Sequence, residues 1–326
     1  MDSIAQALII AAVAVATFVA TGALLPFLRA RAILDHPNER SSHDTPTPKG
    51  GGLALMTGVL AAWVAVGLYL ESGTFLTWAL PGVALLLAGL SWIDDLRALP
   101  VVIRFAVQIA AVTAILLLRP MPEAFFQGLL PPLMDTFVAG LLWVWFINLF
   151  NFMDGIDGIT GIETIIIGVG VALIGEGPTA LLGGILASAA AGFLKWNWHP
   201  AKVFMGDVGS IPLGFLLGWL LLNMAGDGHW AAAIILPAYY LADATITLIR
   251  RALKGEKVWQ AHRQHFYQQA VQRGISHANV AAGVAVVGAM LINLAWLAEH
   301  GWALQALSVA LGLTLIFLFL LRGRRS

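Results

Sequence analysis

The sequence contains no cysteine, which excludes disulfide bonds and thiolate metal sites. It is also poor in charge: only 11% of its 326 residues are Asp, Glu, Lys or Arg, whereas a soluble domain carries about 25%. Hydrophobic residues make up 59% of the chain, so no segment is polar enough to form a large soluble domain. These features indicate a protein that lies mostly within a lipid bilayer.

Apolar runs of about 20 residues recur along the chain, and a helix needs a run of this length to cross a bilayer. We predict an all-α polytopic membrane protein with about eleven transmembrane helices in one domain, residues 1–326. The predicted spans are residues 4–27, 51–70, 75–92, 102–118, 136–153, 159–174, 180–195, 208–225, 230–249, 277–297 and 302–321. The first run is too long for the apolar part of a signal peptide and follows Asp2 instead of a basic segment, so we interpret it as a retained span.

Basic residues are sorted between the predicted loops. With the N-terminus outside, the inward segments and their edges hold 17 of the 18 Lys and Arg residues, and Arg119 alone lies outside. Since cytoplasmic loops carry the excess of Lys and Arg, the sequence predicts an outer N-terminus and a cytoplasmic C-terminus.

Five polar segments fall on the predicted cytoplasmic face. They read DHPNERSSHDTPTPKGGG (35–52), IDDLRAL (93–99), NLFNFMDGIDG (148–158), WNWHPAKVFMGDVGS (196–210) and AHRQHFY (261–267). One Asp at a helix end is usually a cap or a solvated residue. Five such segments on one face are better explained as one functional site, because charges near a bilayer are costly unless they are paired or bind a metal.

Carboxylates dominate these segments. Asp94 and Asp95 are adjacent in the chain, so one is expected to face the site while the other caps or orients. Asp207 lies at a predicted helix N-terminus. Four further polar residues are spaced three apart, along one helical face or its unwinding end; they are Asn148, Asn151, Asp154 and Asp157. Such a group of oxygens favours a hard cation, and we expect Mg²⁺, with Mn²⁺ as the alternative.

Basic side chains on the same predicted face could pair with phosphate oxygens. They are Arg40, Lys49, Arg97, Arg104, Lys202 and Arg263. Membrane topology alone explains basic residues on this face. We favour Lys49 and Arg263, because each stands inside a polar segment.

Histidines and an aromatic residue complete the candidates. His262 and His265 lie three apart without a third local histidine, which favours phosphate binding or proton transfer over a zinc site. We interpret three others as solvated loop residues: His36, His43 and His199. Phe204 could stack on a nucleobase, although aromatic residues at a membrane edge often only sit at the interface. Asp243 and Glu163 lie within spans and have no assigned role.

In this order, the five segments resemble the motifs of the polyprenyl-phosphate N-acetylhexosamine-1-phosphate transferases, the MraY/WecA-like family, over nearly the whole chain. The resemblance implies transfer of a sugar 1-phosphate from a UDP-sugar to a polyprenyl phosphate such as undecaprenyl phosphate. The other product would be UMP, and Mg²⁺ would be required. It also implies the bacterial cytoplasmic (inner) membrane and, in many members, a homodimer. No nucleic-acid partner is expected.

The resemblance further implies residue roles. Asp207 resembles the metal ligand, and Asp94 and Asp95 resemble the acidic pair near the attacking lipid phosphate. The residues expected to act in catalysis are Asp94, Asp95, Asp154, Asp157 and His265. Those expected to bind substrate are Lys49, Asn148, Asn151, Phe204, His262 and Arg263. In AHRQHFY, His265 matches the family's histidine motif whereas Arg263 and Gln264 do not. This form resembles the branch that starts O-antigen or capsule chains, and it leaves the sugar open.

Two questions stay open at the level of sequence. A carboxylate could deprotonate the lipid phosphate, or it could attack first and form a covalent intermediate. The alternative from another class is a transporter or flippase of a phosphorylated solute, which would place its ionisable residues near the bilayer midplane. Here the acidic residues lie mostly at the cytoplasmic ends of the spans, which favours the enzyme.

Overall fold

The computed structural model describes residues 3–37, 42–71, 73, 75–118, 124–258, 260 and 262–323. These residues form α1 (Ser3–Ala30), β1 (Leu34–Asp35), β2 (Thr47–Pro48), α2 (Gly52–Tyr69), α3 (Leu80–Leu96), α4 (Val101–Leu118), α5 (Pro132–Phe152), α6 (Ile159–Ile174), α7 (Gly177–Asn197), α8 (Asp207–Gly226), α9 (Trp230–Ile235), α10 (Ala238–Leu253), α11 (Phe266–Gln272), α12 (His277–Leu297) and α13 (Ala303–Arg322). The two short strands pair antiparallel. A π-helical turn precedes α3, and another joins α12 to α13. The candidate residue Arg40 lies outside the described residues.

Within the described residues, eight continuous helical stretches are long and apolar enough to cross a membrane. One of them, His277–Arg322, is interrupted at His300 and Gly301, and its halves α12 and α13 pack against each other. The chain is therefore an all-α multi-pass membrane protein, as predicted. The count of eleven spans and the orientation stay predictions.

The predicted span 230–249 is divided in the structure. Residues Leu236 and Pro237 separate α9 from α10. Proline lacks an amide hydrogen and its ring clashes with the preceding helical turn, so a helix does not continue through it without a break. The first part of the span is consequently a helix of only 6 residues.

Helix α8 lies at the centre of the bundle and packs against α3 and α5. In the most apolar 18-residue stretch of α8, 83% of the residues are buried, against 22% in the corresponding stretches of α1 and α4. Small residues allow close packing elsewhere: a Cβ atom on Gly168 in α6 would lie 2.7 Å from the backbone oxygen of Gly183 in α7. Because α8 begins at Asp207, the start of the most buried helix coincides with one of the polar segments.

The loop before α2 is joined to the loop before α8. Lys49 forms a parallel β-bridge with Phe204, and the amide of Gly52 donates to the carbonyl of Met205 at 2.9 Å. A Cβ atom on Gly52 would lie 2.4 Å from the Cα of Gly209, so the two helix starts touch through their backbones. This junction places Lys49 close to the beginning of α8.

Candidate active site

Two adjoining cavities lie where the polar segments meet. The larger cavity, of about 350 Å³, is bordered by residues of three of those segments and by α12. Among its lining residues are Lys49, Asp154, Asp157, Phe204, Asp207 and His277. The smaller cavity, of about 250 Å³, is bordered by Arg104, Asn151, His262 and His265. Asp207 borders both cavities.

Asp95 is held at the N-terminus of α8. Its two carboxylate oxygens accept hydrogen bonds from the amides of Asp207, at 3.1 Å, and Val208, at 3.0 Å. Lys49 Nζ lies 2.7 Å from Asp95 Oδ1, and the Asp95 side chain is 1% exposed. A helix N-terminus presents unsatisfied amides and a positive dipole end, which a carboxylate stabilises. Asp95 thus caps a helix distant in sequence.

Asp94 accepts hydrogen bonds from different groups. It accepts from the amide of Leu99 at 2.6 Å and from Arg104 Nη1 at 2.9 Å. The same Arg104 nitrogen lies 3.4 Å from Asp207 Oδ2, so Arg104 bridges two carboxylates. Neighbouring positions on a helix point about 100° apart. The adjacent pair accordingly divides its contacts between the α8 terminus and Arg104.

Asp207 is oriented by amide and guanidinium donors. Asn151 Nδ2 donates to Asp207 Oδ1 at 3.0 Å and contacts Ser210 Oγ at 2.9 Å. With Arg104 on Oδ2, the carboxylate is fixed between the two cavities. Asn148 is turned elsewhere: it donates to Gln108 Oε1 at 2.6 Å and borders neither cavity.

Asp154 lies beyond the end of α5 and faces the larger cavity. Burial, together with the negative charges of Asp207 and Asp95, raises its pKa to about 7, against opposing effects of Thr160 and Lys49. For Lys49, burial lowers the pKa, but the charges of Asp95 and Asp207 outweigh it and raise the pKa above its usual value. The cavity wall therefore carries an excess of negative charge that a divalent cation would relieve. Carboxylate oxygens at Asp154 and Asp207 fit the ligand preference of Mg²⁺.

Asp157 belongs to a histidine cluster on the same cavity. His199 Nδ1 lies 2.6 Å from its Oδ2, His277 Nδ1 lies 3.3 Å from its Oδ1, and the amide of Ala201 donates to Oδ2 at 3.1 Å. Burial works to raise the pKa of Asp157, but hydrogen bonds from His277 and His199 outweigh it and lower the pKa below its usual value. His277 was not a candidate from sequence, since it stands at the start of an apolar helix.

Phe204 forms an aromatic wall of the larger cavity. The ring of His43 packs edge-on against it, with centroids 4.8 Å apart. His43 is only 13% exposed and contacts Asp35, so the interpretation of His43 as a solvated loop residue is wrong. Near the wall, the buried Asn197 accepts from the amide of Gly158 and donates to the carbonyl of Val203, each at 3.0 Å.

The histidine segment borders the smaller cavity. His265 caps α11, and its Nδ1 lies 3.2 Å from Asp243. Asp243 is fully buried and also accepts from the amides of Phe266, at 3.0 Å, and Tyr267, at 3.2 Å, so it organises this turn. Burial and the positive charges of His265 and Arg251 lower the pKa of His262 to about 4.

Two other residues that the sequence analysis singled out, Arg263 and Glu163, lie away from both cavities. Arg263 is exposed and borders neither cavity. Glu163, which had no assigned role, is buried in α6, and its Oε1 makes no hydrogen bond. The structure therefore brings most of the candidates together around Asp207, and it sets Asn148, Arg263 and Glu163 outside that group.

Comparison with known proteins identifies the family of this chain. Residues 77–225 match the family model for glycosyl transferase family 4. The chain is 30% identical over 262 residues to a probable undecaprenyl-phosphate N-acetylglucosaminyl 1-phosphate transferase of Bacillus subtilis, covering 75% of this chain and 71% of that protein. It is 29% identical over 306 residues to the decaprenyl-phosphate N-acetylglucosaminephosphotransferase of Mycobacterium leprae, covering 82% of this chain and 77% of that protein.

A third relative is the undecaprenyl-phosphate alpha-N-acetylglucosaminyl 1-phosphate transferase of Escherichia coli K12. It is 29% identical over 291 residues, which cover 82% of this chain and 77% of that protein. In each of these alignments the similarity extends well beyond the residues that match the family model. The chain therefore belongs to glycosyl transferase family 4, in its MraY/WecA-like group of polyprenyl-phosphate N-acetylhexosamine-1-phosphate transferases.

Proposed function

We propose that this protein transfers an N-acetylhexosamine 1-phosphate from a UDP-sugar to a polyprenyl phosphate, with undecaprenyl phosphate as the expected lipid. The observation that carries the proposal is the position of Asp207, which starts the central helix and borders both cavities. Two anionic substrates could meet at such a place, one from each cavity. The names of the relatives support a polyprenyl phosphate acceptor.

The larger cavity suits the nucleotide. Phe204 offers a ring for stacking on uracil, and aromatic stacking on a base contributes roughly 1–3 kcal/mol. Lys49 and Asp154 border the same cavity, so a diphosphate placed there would lie near both a cation and the carboxylate cluster. His262 and His265 border the smaller cavity together with Arg104, which suits the lipid phosphate.

The reaction joins two anions, so its barrier is dominated by repulsion and alignment. Asp207 would hold Mg²⁺, and the bound ion would screen the charge of the diphosphate. An oxygen of the lipid phosphate attacks the β-phosphorus, the bond from that phosphorus to the bridging oxygen breaks, and UMP leaves with the oxygen. A carboxylate of the cluster that does not hold the ion would accept the proton of the lipid phosphate.

Two side chains would position these groups without reacting. Asp95 holds the amide end of α8, and thereby the backbone that carries Asp207. Asp243 engages Nδ1 of His265, which leaves Nε2 of that ring for a substrate oxygen. We further propose that the site faces the cytoplasm from the bacterial inner membrane, and that the product starts an O-antigen or capsule-like chain.

The test is release of UMP by purified protein in detergent with undecaprenyl phosphate and Mg²⁺. A panel of UDP-N-acetylhexosamines, including 6-deoxy forms, identifies the donor, and mass spectrometry identifies the lipid product. We expect activity with one donor and loss of at least about a hundredfold in Asp207→Asn. Asp227→Asn, at the opposite end of α8, is the matched control and should keep activity. Folded protein that releases no UMP with any donor would overturn the proposal and make transport the next assay.

A further inference from the structure

The cluster of Asp157, His199 and His277 has the composition of a transition-metal site. Asp157 comes from the turn after α5, His199 from the loop after α7 and His277 from the first position of α12. One ligand atom from each residue can be chosen so that all three lie within 4.8 Å of one another. Three segments distant in sequence therefore place two imidazoles and one carboxylate around a common point.

The distances are close to those of a bound ion. Zinc binds imidazole nitrogen and carboxylate oxygen at about 2.0–2.2 Å, so tetrahedral ligand atoms lie roughly 3.4 Å apart. In the structure, His199 Nδ1 lies 2.6 Å from Asp157 Oδ2, and His277 Nδ1 lies 3.3 Å from Asp157 Oδ1. The three ligand atoms lie within 4.8 Å of one another, so side-chain shifts on the order of 1 Å would bring them to the spacing of one bound ion.

Hydrogen bonding within the cluster leaves one conflict. His277 Nδ1 lies 3.4 Å from the amide nitrogen of Asp157 and 3.3 Å from Asp157 Oδ1. The amide needs an acceptor at Nδ1, whereas the carboxylate needs a donor there, and one nitrogen serves only one of these in a given tautomer. A metal ion bound to the lone pair of Nδ1 and to the carboxylate would replace both of these contacts.

The surroundings support a bound ion. The side chains of Asp157 and His277 are 7% and 8% exposed, whereas that of His199 is 38% exposed and gives solvent access. The amide of Ala201 holds Asp157 Oδ2 at 3.1 Å, the kind of outer contact that orients metal ligands. Asp157 and His277 also border the larger cavity, so a fourth coordination position would face it.

We propose that Asp157, His199 and His277 bind a divalent transition-metal ion of the zinc class, separate from the hard-cation position at Asp207, with an open coordination position towards the larger cavity. Two imidazoles favour zinc-like ions over Mg²⁺, which prefers oxygen ligands. The proposal concerns metal binding alone and does not depend on the proposed transfer reaction.

The test uses tag-free, chelator-treated, full-length protein in detergent, with Zn²⁺ alone as the probe in excess Mg²⁺. Calorimetry and elemental analysis after desalting should give one tightly bound Zn²⁺ per chain. His199→Asn and His277→Asn should each weaken binding at least about tenfold, since even loss of an outer-shell partner costs about that much. His229→Asn is the matched control. His229 Nδ1 also lies 2.6 Å from a carboxylate, that of Glu299, but within the described residues this pair has no third metal-binding side chain beside it.

A spectroscopic measurement on the unaltered protein covers the case in which a variant does not fold. Co²⁺ in place of Zn²⁺ should show the intense visible absorption of a four-coordinate ion, and X-ray absorption should show two imidazole ligands. Zn²⁺ affinity equal in the wild-type protein and folded His277→Asn would overturn the proposal. So would a weak, six-coordinate Co²⁺ spectrum, or the absence of binding at micromolar Zn²⁺.

Discussion

The carboxylate of Asp95 accepts hydrogen bonds from the backbone of Asp207 and from its neighbour Val208. The helix that carries the candidate metal ligand is therefore capped by a residue from another helix, α3, whose charge is matched by Lys49. The capping contact uses both oxygens of Asp95. This contact supports a positioning role for Asp95, and the role of Asp95 in catalysis stays a prediction.

Replacing Asp95 tests this relationship. Asp95→Ala should lower the free energy of unfolding by about 3–5 kcal/mol, because it leaves Lys49 without its nearest anion and removes the cap of α8. Asp95→Asn keeps one acceptor oxygen and should lose less. Denaturant unfolding in detergent measures both, with the exposed Asp44→Ala as the control. Equal stability of Asp95→Ala and wild type would show that the contact contributes nothing.

Gly206 should tolerate no side chain. A Cβ atom there would lie 2.6 Å from Asp95 Oδ2, and its φ of +75° is one that other residues rarely adopt. We expect Gly206→Ala to destabilise the protein by about 1–3 kcal/mol and to abolish most activity. Gly82→Ala in α3 is the matched control, since a Cβ atom at Gly82 would meet nothing within 4 Å and the change should be neutral or slightly stabilising. Similar melting temperatures for the two variants would contradict the steric explanation.

The pH dependence of stability should report the environment of Asp154. Its folded pKa of about 7 lies above the ordinary value of 3.8, so between these values the folded protein binds more protons than the unfolded chain. Raising the pH through this window therefore destabilises the wild-type protein, and Asp154→Asn removes the effect. In the presence of chelator, the stability of Asp154→Asn relative to the wild-type protein should therefore rise by up to about 4 kcal/mol between pH 4 and pH 8, at about 1.4 kcal/mol for each unit of pKa shift.

Asp157 supplies the comparison of opposite sign. Its folded pKa is lowered, so its stabilisation is present above its ordinary pKa and is lost as the pH falls through the folded value. Asp157→Asn should consequently lose stability relative to wild type near neutral pH. Parallel pH profiles for wild type, Asp154→Asn and Asp157→Asn would refute both assignments.

Phe204 should affect donor binding more than turnover. If its ring stacks on uracil, Phe204→Leu should raise the KM for the UDP-sugar about tenfold while kcat changes little, since stacking contributes roughly 1–3 kcal/mol. Steady-state kinetics with the identified donor measure the two constants. Phe137→Leu, at an exposed position of α5, should leave both unchanged. A fall in kcat at constant KM would instead place Phe204 in the chemical step.

The membrane class and the polar segments were predictable because Asp and Lys stand out in a chain with so little charge. The partners of those residues were not. Asn148 and Asn151 share a spacing of three, yet Asn148 bonds Gln108 in α4, which depends on how the helices pack. Helix α5 ends at Phe152, so Asp154 lies in the turn beyond it and not on a shared helical face.

His277 shows the same limit more clearly. It opens an apolar helix 120 residues after Asp157, and its neighbours in the sequence carry no acidic group. The contact between them arises because α12 packs against α6, which follows the turn that holds Asp157. Hydropathy predicts that α6 and α12 each cross the membrane, but it contains no information about which helices become neighbours.

The contact of Gly52 with Gly209 has a consequence for how this protein can change over evolution. A side chain at either position would separate the loop of Lys49 from the loop of Phe204, because the two backbones leave no room for a Cβ atom. Enlarging one glycine would already open the junction, so enlarging the second should cost little more, and the two effects would not add. The loop of Lys49 and the loop of Phe204 can thus change only together during evolution.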